Sequence, residues 1–180
     1  MTKQEFINTI FPHINVAWNI IGFKLPFKSV AIAQAALESG WGTSQLASKN
    51  NNYFGIVADS SWNGKIIKFN SNGLTYRAYD SINDSVKDYV RFLNVNQRYK
   101  NNGVFDAKNY KEQAKALQNA GYAGNSSTYA DNLIQIIENN NLYKFDDLQE
   151  PVKTNENAGK SIILFAVIAI LLFGIFVKNI

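Results

Sequence analysis

The feature that most constrains the fold is an apolar run that leads into Glu38. Residues 30–37 read Val-Ala-Ile-Ala-Gln-Ala-Ala-Leu, with Pro26 shortly before them and Gly40 shortly after. At about 3.6 residues per turn, apolar side chains cover almost the whole circumference of such a helix. The run therefore predicts a central helix, opened by Pro26 and ended by Gly40, that other helices must surround.

Apolar spacing in the rest of residues 1–145 predicts further helices and one hairpin. The predicted helices cover residues 3–21, 43–47, 81–93, 110–120 and 127–138. The runs 65–69 and 74–79 flank an Asn-Gly turn and predict a β-hairpin. Thr2 and Ser81 are predicted N-caps, and Pro12 predicts a kink or a split in the first helix. The predicted class is α+β, mainly α.

Composition excludes several kinds of functional site. The chain has 180 residues and no cysteine, which excludes disulfides, Cys-ligated zinc and a thiol nucleophile. The single histidine, His13, argues against a His-rich metal site and against a Ser-His-Asp triad. With a net charge of +4, the chain can lie against anionic polymers such as cell-wall material. Its basic residues do not form the stripe that nucleic-acid binding requires. We therefore expect no cofactor, no metal and no nucleic-acid partner.

The C-terminal segment differs in kind from the rest. Residues 161–177 carry no charge, and Lys160 and Lys178 bracket them. A helix of this length measures about 26 Å at about 1.5 Å per residue, the short end of what spans a bilayer. The flanking lysines can reach the headgroups. We predict a transmembrane helix over 161–178 after a flexible linker over 146–160. A buried core helix is the alternative, against which the absence of a polar face argues.

Glu38 is the candidate for chemistry. It lies at the C-terminal end of the apolar helix, where the helix dipole and desolvation both raise the pKa of a carboxyl. A carboxylic acid that stays protonated near neutral pH is what a glycosidase needs to protonate a leaving oxygen. The alternative is a surface glutamate at a helix end or one paired with a lysine.

Four motifs occur in order around Glu38. They are residues 31–42 (AIAQAALESGWG), 52–56 (NYFGI), 79–89 (YDSINDSVKDY) and 127–133 (STYADNL). Across residues 4–145 they resemble the glucosaminidases of glycoside hydrolase family 73, bacterial and phage peptidoglycan hydrolases related in fold to goose-type lysozyme and lytic transglycosylases. The resemblance implies a lysozyme-like helical domain with a small β-hairpin lobe over 1–145. It also implies an endo-β-N-acetylglucosaminidase that cleaves the glycan strand of peptidoglycan.

The resemblance assigns roles to individual residues. Glu38 becomes the general acid, and Tyr129 becomes the active-site tyrosine whose hydroxyl faces the scissile sugar. A core aromatic on an amphipathic helix is the alternative for Tyr129. Aromatic residues are also candidates for stacking on sugar rings, although each could equally belong to the core. These candidates are Trp41, Tyr53, Phe54, Trp62, Tyr76 and Tyr122.

The sequence departs from the family in the hairpin. Family members commonly carry a second carboxylate there, whereas residues 60–79 contain no Asp or Glu. Asp59 or Asp80 could supply the base from the edges of the lobe, or the 2-acetamido group of the substrate could act as the nucleophile. Glu38 could also act alone, as in lytic transglycosylases, with a 1,6-anhydro product. An inactive, membrane-anchored wall-binding or structural protein is the remaining alternative.

The predicted anchor bears on localisation. The N-terminus lacks the pattern of a signal peptide, and Lys153 and Lys160 before the span weakly favour a cytoplasmic N-terminal domain. Peptidoglycan lies on the other side of the membrane. We therefore expect a single-pass protein of the bacterial cell membrane, or of the membrane of a lipid-containing phage virion that penetrates the wall on entry.

Overall fold

The computed structural model describes residues 1–18, 23–69 and 73–147. In that part of the chain, helices dominate and one short hairpin interrupts them. The helices are α1 (Lys3–Ala17), α2 (Lys28–Ser39), α3 (Gln45–Asn50), α4 (Ile82–Val95), α5 (Gln97–Asn101), α6 (Tyr110–Asn119) and α7 (Tyr129–Asn139). The strands are β1 (Ile66–Lys68) and β2 (Thr75–Arg77), and a 3-10 helix (Leu142–Phe145) follows α7.

Helix α2 is the centre of the core, as its apolar run predicts. Its residues from Lys28 to Ala36 are all buried, and α1, α6, α7 and the 3-10 helix pack against it. Gly40 ends the helix in the left-handed region at φ 56°, as predicted. At the other end, the Asp146 carboxylate accepts hydrogen bonds from the backbone N–H and the hydroxyl of Ser29, at 2.8 and 2.6 Å. This side chain supplies the cap that α2 lacks locally.

The predicted N-caps are confirmed. Thr2 and Glu5 form a reciprocal capping box at the start of α1, and the Ser81 hydroxyl accepts from the backbone N–H of Asp84 at 3.2 Å. Helix α1 continues through Pro12, so the predicted split does not occur. Pro12 lies on the exposed face, where water can satisfy the carbonyl that loses its partner. The predicted end of this helix, near residue 21, lies outside the described residues.

The predicted hairpin is confirmed, with strands shorter than the apolar runs. Strands β1 and β2 pair antiparallel, with Ile67 opposite Tyr76. An ion pair fastens the hairpin to α4, because the buried Arg77 donates through Nη1 to Asp88 at 2.9 Å. The Tyr79 hydroxyl donates to the same carboxylate at 2.8 Å. The lobe therefore has a fixed attachment to the helical core.

Among the helices of residues 1–18, 23–69 and 73–147, none has the length and apolar character needed to cross a membrane. The predicted transmembrane helix over 161–178 lies outside the described residues, as does nearly all of the predicted linker over 146–160. Both stay predictions.

Candidate active site

Glu38 and Tyr129, the two predicted catalytic residues, meet where α7 packs against α2. Glu38 lies in the last turn of α2, and Tyr129 is the first residue of α7. The Tyr129 hydroxyl donates a hydrogen bond to Glu38 Oε1 at 2.9 Å. The two residues are far apart in sequence, so the packing of these two helices creates the pair.

The surroundings favour a protonated Glu38. Burial raises the pKa of Glu38 above that of an ordinary glutamic acid, and the hydrogen bond from Tyr129 partly opposes this by stabilising the carboxylate. Burial also holds the pKa of Tyr129 well above its usual value, so the phenol stays a neutral donor. The Glu38 side chain is only half-buried. It is therefore a carboxylic acid with a raised pKa that still reaches the surface.

Gly55 allows the turn formed by residues 52–56 to approach Glu38 closely. Its φ is 64°, and a Cβ on it would lie 3.2 Å from Glu38 Oε2, so a side chain would push against the carboxyl. The buried Asn52 holds this turn. Its side-chain amide donates to the carbonyls of Ile56 and Arg77, at 3.0 and 2.8 Å, and its oxygen accepts from the Ile56 N–H. These contacts give a physical reason for the Asn-Tyr-Phe-Gly-Ile motif.

An open groove of 380 Å³ has Gly55, a neighbour of Glu38, in its lining. Gly55 lines this groove and also lies next to Glu38 Oε2, so Gly55 is a neighbour of both the groove and the carboxyl. One wall comes from the chain after α3, and the other from the end of α4, from α5 and from Tyr122. The lining residues are Phe54, Gly55, Ile56, Val57, Asp59, Phe92, Asn96, Arg98 and Tyr122.

Of three predicted sugar-stacking residues, Phe54 and Tyr122 line this groove, and Tyr53 directly precedes Phe54 in the chain. Tyr122 lines the groove, and its hydroxyl donates to the carbonyl of Phe54 at 2.9 Å. The ring of Phe54 is stacked on Tyr89 at 4.0 Å and is only 1% exposed, and Tyr53 is 6% exposed. The rings of Tyr53 and Phe54 therefore belong to the core. The expectation of sugar stacking is not met at these two positions, because a glycan cannot reach a covered ring.

The other three predicted aromatic residues do not line the groove. Trp41 packs edge-on against Phe6 at 5.6 Å, and Tyr76 packs edge-on against Phe69 in the hairpin at 5.7 Å. Trp62 lines a different cavity, of 490 Å³, on the side of α4 that faces the hairpin attachment. These three side chains pack against other side chains of the protein, and none of them lines the groove.

The two candidates for a second acid occupy different places. Asp59 lines the groove, and its pKa is lowered by hydrogen bonds from the Ser61 hydroxyl and backbone N–H and by the charge of Arg77, 3.3 Å away. Asp80 is exposed, pairs with Lys65 and does not line the groove. Of the two, only Asp59 is an ionised carboxylate in the lining of the groove that includes Gly55.

Gln34 and the α5 wall are features that the sequence patterns did not single out. The amide of Gln34 donates to the Tyr129 hydroxyl at 2.9 Å, inside the core. Its signal in the sequence is that it is the lone polar residue within an apolar run. Helix α5, which brings Arg98 to the groove, has no apolar periodicity that could have predicted it. In the part of the chain that the structure describes, no cluster of His, Asp or Glu could hold a metal ion.

A comparison with known protein families decides the assignment. The glucosaminidase family, described as mannosyl-glycoprotein endo-beta-N-acetylglucosaminidase, matches residues 22–142. The chain belongs to this family of glycoside hydrolases. The matched range contains Glu38, Tyr129 and every residue that lines the groove. The family predicted from the four sequence motifs is thus confirmed.

Individual relatives agree with this assignment. The chain is 34% identical over 148 residues to the peptidoglycan hydrolase FlgJ of Vibrio parahaemolyticus, covering 75% of this chain and 46% of that protein. It is 34% identical over 164 residues to the exo-glucosaminidase LytG of Bacillus subtilis, covering 84% of this chain and 56% of that one. The chain thus spans about half the length of these curated relatives.

A solved structure confirms the predicted fold of the helical domain. The glycoside hydrolase domain of FlgJ from Salmonella typhimurium is similar with a TM-score of 0.64 at 32% identity. The similarity covers 80% of this chain and 91% of that domain. The mainly helical, lysozyme-like architecture with a small two-stranded sheet is therefore shared with a known glucosaminidase-family domain.

Proposed function

We propose that this chain hydrolyses the glycan strand of peptidoglycan, with Glu38 as the general acid. The observation that carries the proposal is a carboxyl of raised pKa, held by Tyr129 next to Gly55, which lines an open groove. Such a group can donate its proton to a glycosidic oxygen near neutral pH. The names of the relatives, a peptidoglycan hydrolase and an exo-glucosaminidase, support the choice of substrate.

The hydrogen bond from Tyr129 gives the two oxygens of Glu38 different tasks. Oε1 accepts from Tyr129, so the transferable proton belongs on Oε2, which lies against Gly55 at the groove. That proton passes to the glycosidic oxygen as its bond to the anomeric carbon breaks. The carboxylate that remains is stabilised by the Tyr129 O–H, a neutral donor that keeps its own proton.

Asp59 is our proposal for the second carboxylate. Its pKa is lowered, so it is ionised, and it lines the groove that includes Gly55; a carboxylate in that state can activate the attacking water. Asp59 directly precedes residues 60–79, which contain no Asp or Glu, so it would supply the carboxylate that the hairpin lacks. Replacing Asp59 by asparagine would then abolish hydrolysis. Full activity in Asp59→Asn would instead favour the acetamido group of the substrate, or Glu38 acting alone.

Arg98 supports an anionic substrate. It lines the groove, and its guanidinium is held by two neutral oxygens, the Tyr99 hydroxyl at 2.7 Å and the Gly121 carbonyl at 3.4 Å. Among the described residues, no carboxylate forms an ion pair with it. The peptides attached to peptidoglycan carry carboxylates, whereas an unsubstituted glucosamine polymer does not. A guanidinium on the groove wall that has no carboxylate partner among the described residues suits the peptide-bearing strand.

The finer assignment is an endo-β-N-acetylglucosaminidase, and product analysis tests it. The full chain is incubated with purified peptidoglycan, with Glu38→Gln as the control, and the released fragments are identified by mass spectrometry. Internal fragments with reducing N-acetylglucosamine ends would support the assignment. Anhydro-muramic ends would make the protein a lytic transglycosylase. Absence of fragments from both proteins would refute the proposed hydrolysis and favour a wall-binding role.

Membrane anchoring through residues 161–178 is also part of the proposal. It is supported by the charge-free run between Lys160 and Lys178. The membrane is that of a bacterial cell or of a lipid-containing phage virion. The expressed chain should remain in the membrane fraction after alkaline carbonate treatment and dissolve in detergent, and its release by carbonate alone would contradict anchoring.

A further inference from the structure

We propose that Gln34 is a positioning residue that directs a chain of hydrogen bonds onto Glu38. The proposal rests on Glu38 as the general acid. The Tyr89 hydroxyl donates to Gln34 Oε1 at 2.6 Å, Gln34 Nε2 donates to the Tyr129 hydroxyl at 2.9 Å, and that hydroxyl donates to Glu38 Oε1 at 2.9 Å. Gln34 and Glu38 lie one turn apart on the same side of α2.

When Glu38 is ionised, the direction of every bond in this chain is defined. A carboxylate has no proton to donate, so Tyr129 must donate its single O–H proton to Oε1. The Tyr129 oxygen is then left as an acceptor, and the Gln34 NH₂ group is its donor. The Gln34 oxygen accepts in turn from Tyr89. An uncharged amide can donate at one end and accept at the other, which neither a carboxylate nor an aliphatic side chain can do.

Burial makes this direction hard to change. Gln34 and Tyr89 are fully buried, and Tyr129 is 3% exposed. Water cannot replace a lost partner in such a place, so each broken bond would leave an unpaired polar group. This cost keeps the Tyr129 hydroxyl from turning towards another acceptor. Gln34 is therefore the reason why Oε1 of Glu38 stays occupied and Oε2, next to Gly55, carries the transferable proton.

The titratable groups around Glu38 permit a clean test. The facing tyrosines are Tyr89 of α4, Tyr99 of α5, Tyr122 before α7 and Tyr129 itself. Burial raises the pKa of each, for Tyr99 to about 12 and for the other three well above the usual value. The pKa of Asp59, which lines the groove, is lowered. The alkaline limb of a pH–rate profile, where the general acid ionises, therefore reports on Glu38.

The first test replaces Gln34 by methionine, which is similar in size and has no N–H. The Tyr129 oxygen loses its donor, and its bond to the Glu38 carboxylate weakens. We expect the alkaline limb to move up by about half a unit to one pH unit. The matched control is Gln113→Met. Gln113 is also buried, and its amide accepts from the Phe27 N–H and donates to the Val104 carbonyl, both at 2.7 Å. This variant should lose stability but keep the wild-type limb.

A double variant separates positioning from general damage. Because Gln34 acts through Tyr129, Gln34→Met combined with Tyr129→Phe should move the limb no further than Tyr129→Phe alone. Additive shifts, or an equal shift in Gln113→Met, would overturn the proposal. NMR titration of the Glu38 carboxyl carbon measures the same shifts without turnover. If NMR shows the expected shift in the pKa of Glu38 but the protein cleaves no substrate, the chain of hydrogen bonds is supported and the proposed function is refuted.

Discussion

Replacing Tyr129 by phenylalanine isolates what one hydroxyl does for Glu38. The ring remains, and the bond of 2.9 Å to Glu38 Oε1 is lost. A hydrogen bond to a charged group contributes about 1.5–3 kcal/mol, and one pKa unit corresponds to about 1.4 kcal/mol. The bond stabilises only the carboxylate form strongly, so its loss makes Glu38 keep its proton to higher pH. The alkaline limb of activity should rise by about one to two pH units.

The assay measures initial rates of cell-wall hydrolysis at low substrate over a range of pH. Under these conditions the rate reports kcat/KM, whose limbs belong to the free enzyme. The fold should also lose about 1–3 kcal/mol, because the amide of the buried Gln34 no longer has an acceptor. Unfolding in urea checks this second expectation, and all rates are taken where the variant remains folded.

Tyr122→Phe is the matched control. Tyr122 is stacked beside Tyr129, with ring centroids 5.8 Å apart, but its hydroxyl donates to the Phe54 carbonyl and not to Glu38. This variant should keep the alkaline limb of the wild type. If the limb in Tyr129→Phe stays in place or moves down, the hydroxyl does not stabilise the Glu38 carboxylate and the reasoning fails.

Three other variants test burial, pairing and the groove wall. Burial raises the pKa of Glu38, so the stability of the wild type should fall as pH rises through that pKa, and the stability of Glu38→Gln should not show this fall. A difference in Tm between the two proteins that does not change with pH would contradict this expectation. Asp88→Ala leaves the buried Arg77 without its closest carboxylate and should cost about 3–5 kcal/mol in urea unfolding, and a loss below about 1 kcal/mol would contradict this. Arg98→Gln should lower kcat/KM about two- to fivefold on peptide-bearing strands but not on strands freed of peptides. Lys100→Gln, on the same helix but outside the groove lining, should change neither.

Local patterns were sufficient for much of the helical framework. The Thr2 and Ser81 caps and the Gly40 stop depend on groups within a few residues, so the sequence reveals them directly. The central position of α2 followed from its apolar run, since such a helix has no side that favours water. Helix α5 was missed, because a five-residue helix such as Gln97–Asn101 is too short to show a period.

Exposure of the aromatic residues could not be predicted. Tyr53, Phe54 and Tyr122 all satisfy the same simple criterion, a ring near the expected site. The structure buries the first two and leaves Tyr122 on the groove. Which face of a ring is covered depends on the elements that pack over it, and for Phe54 that element is α4, through Tyr89. No pattern near residue 54 contains this information.

The sequence by itself determined the family and the helical framework and made Glu38 the candidate acid, because these depend on local order and on motifs. The tertiary structure decided how Glu38 behaves. Its pKa depends on burial and on Tyr129 from a distant helix, and its proton position depends on Gln34, Tyr129 and the approach of Gly55. Desolvation and hydrogen bonding act through space over a few ångströms, so they become defined only when these distant segments pack together.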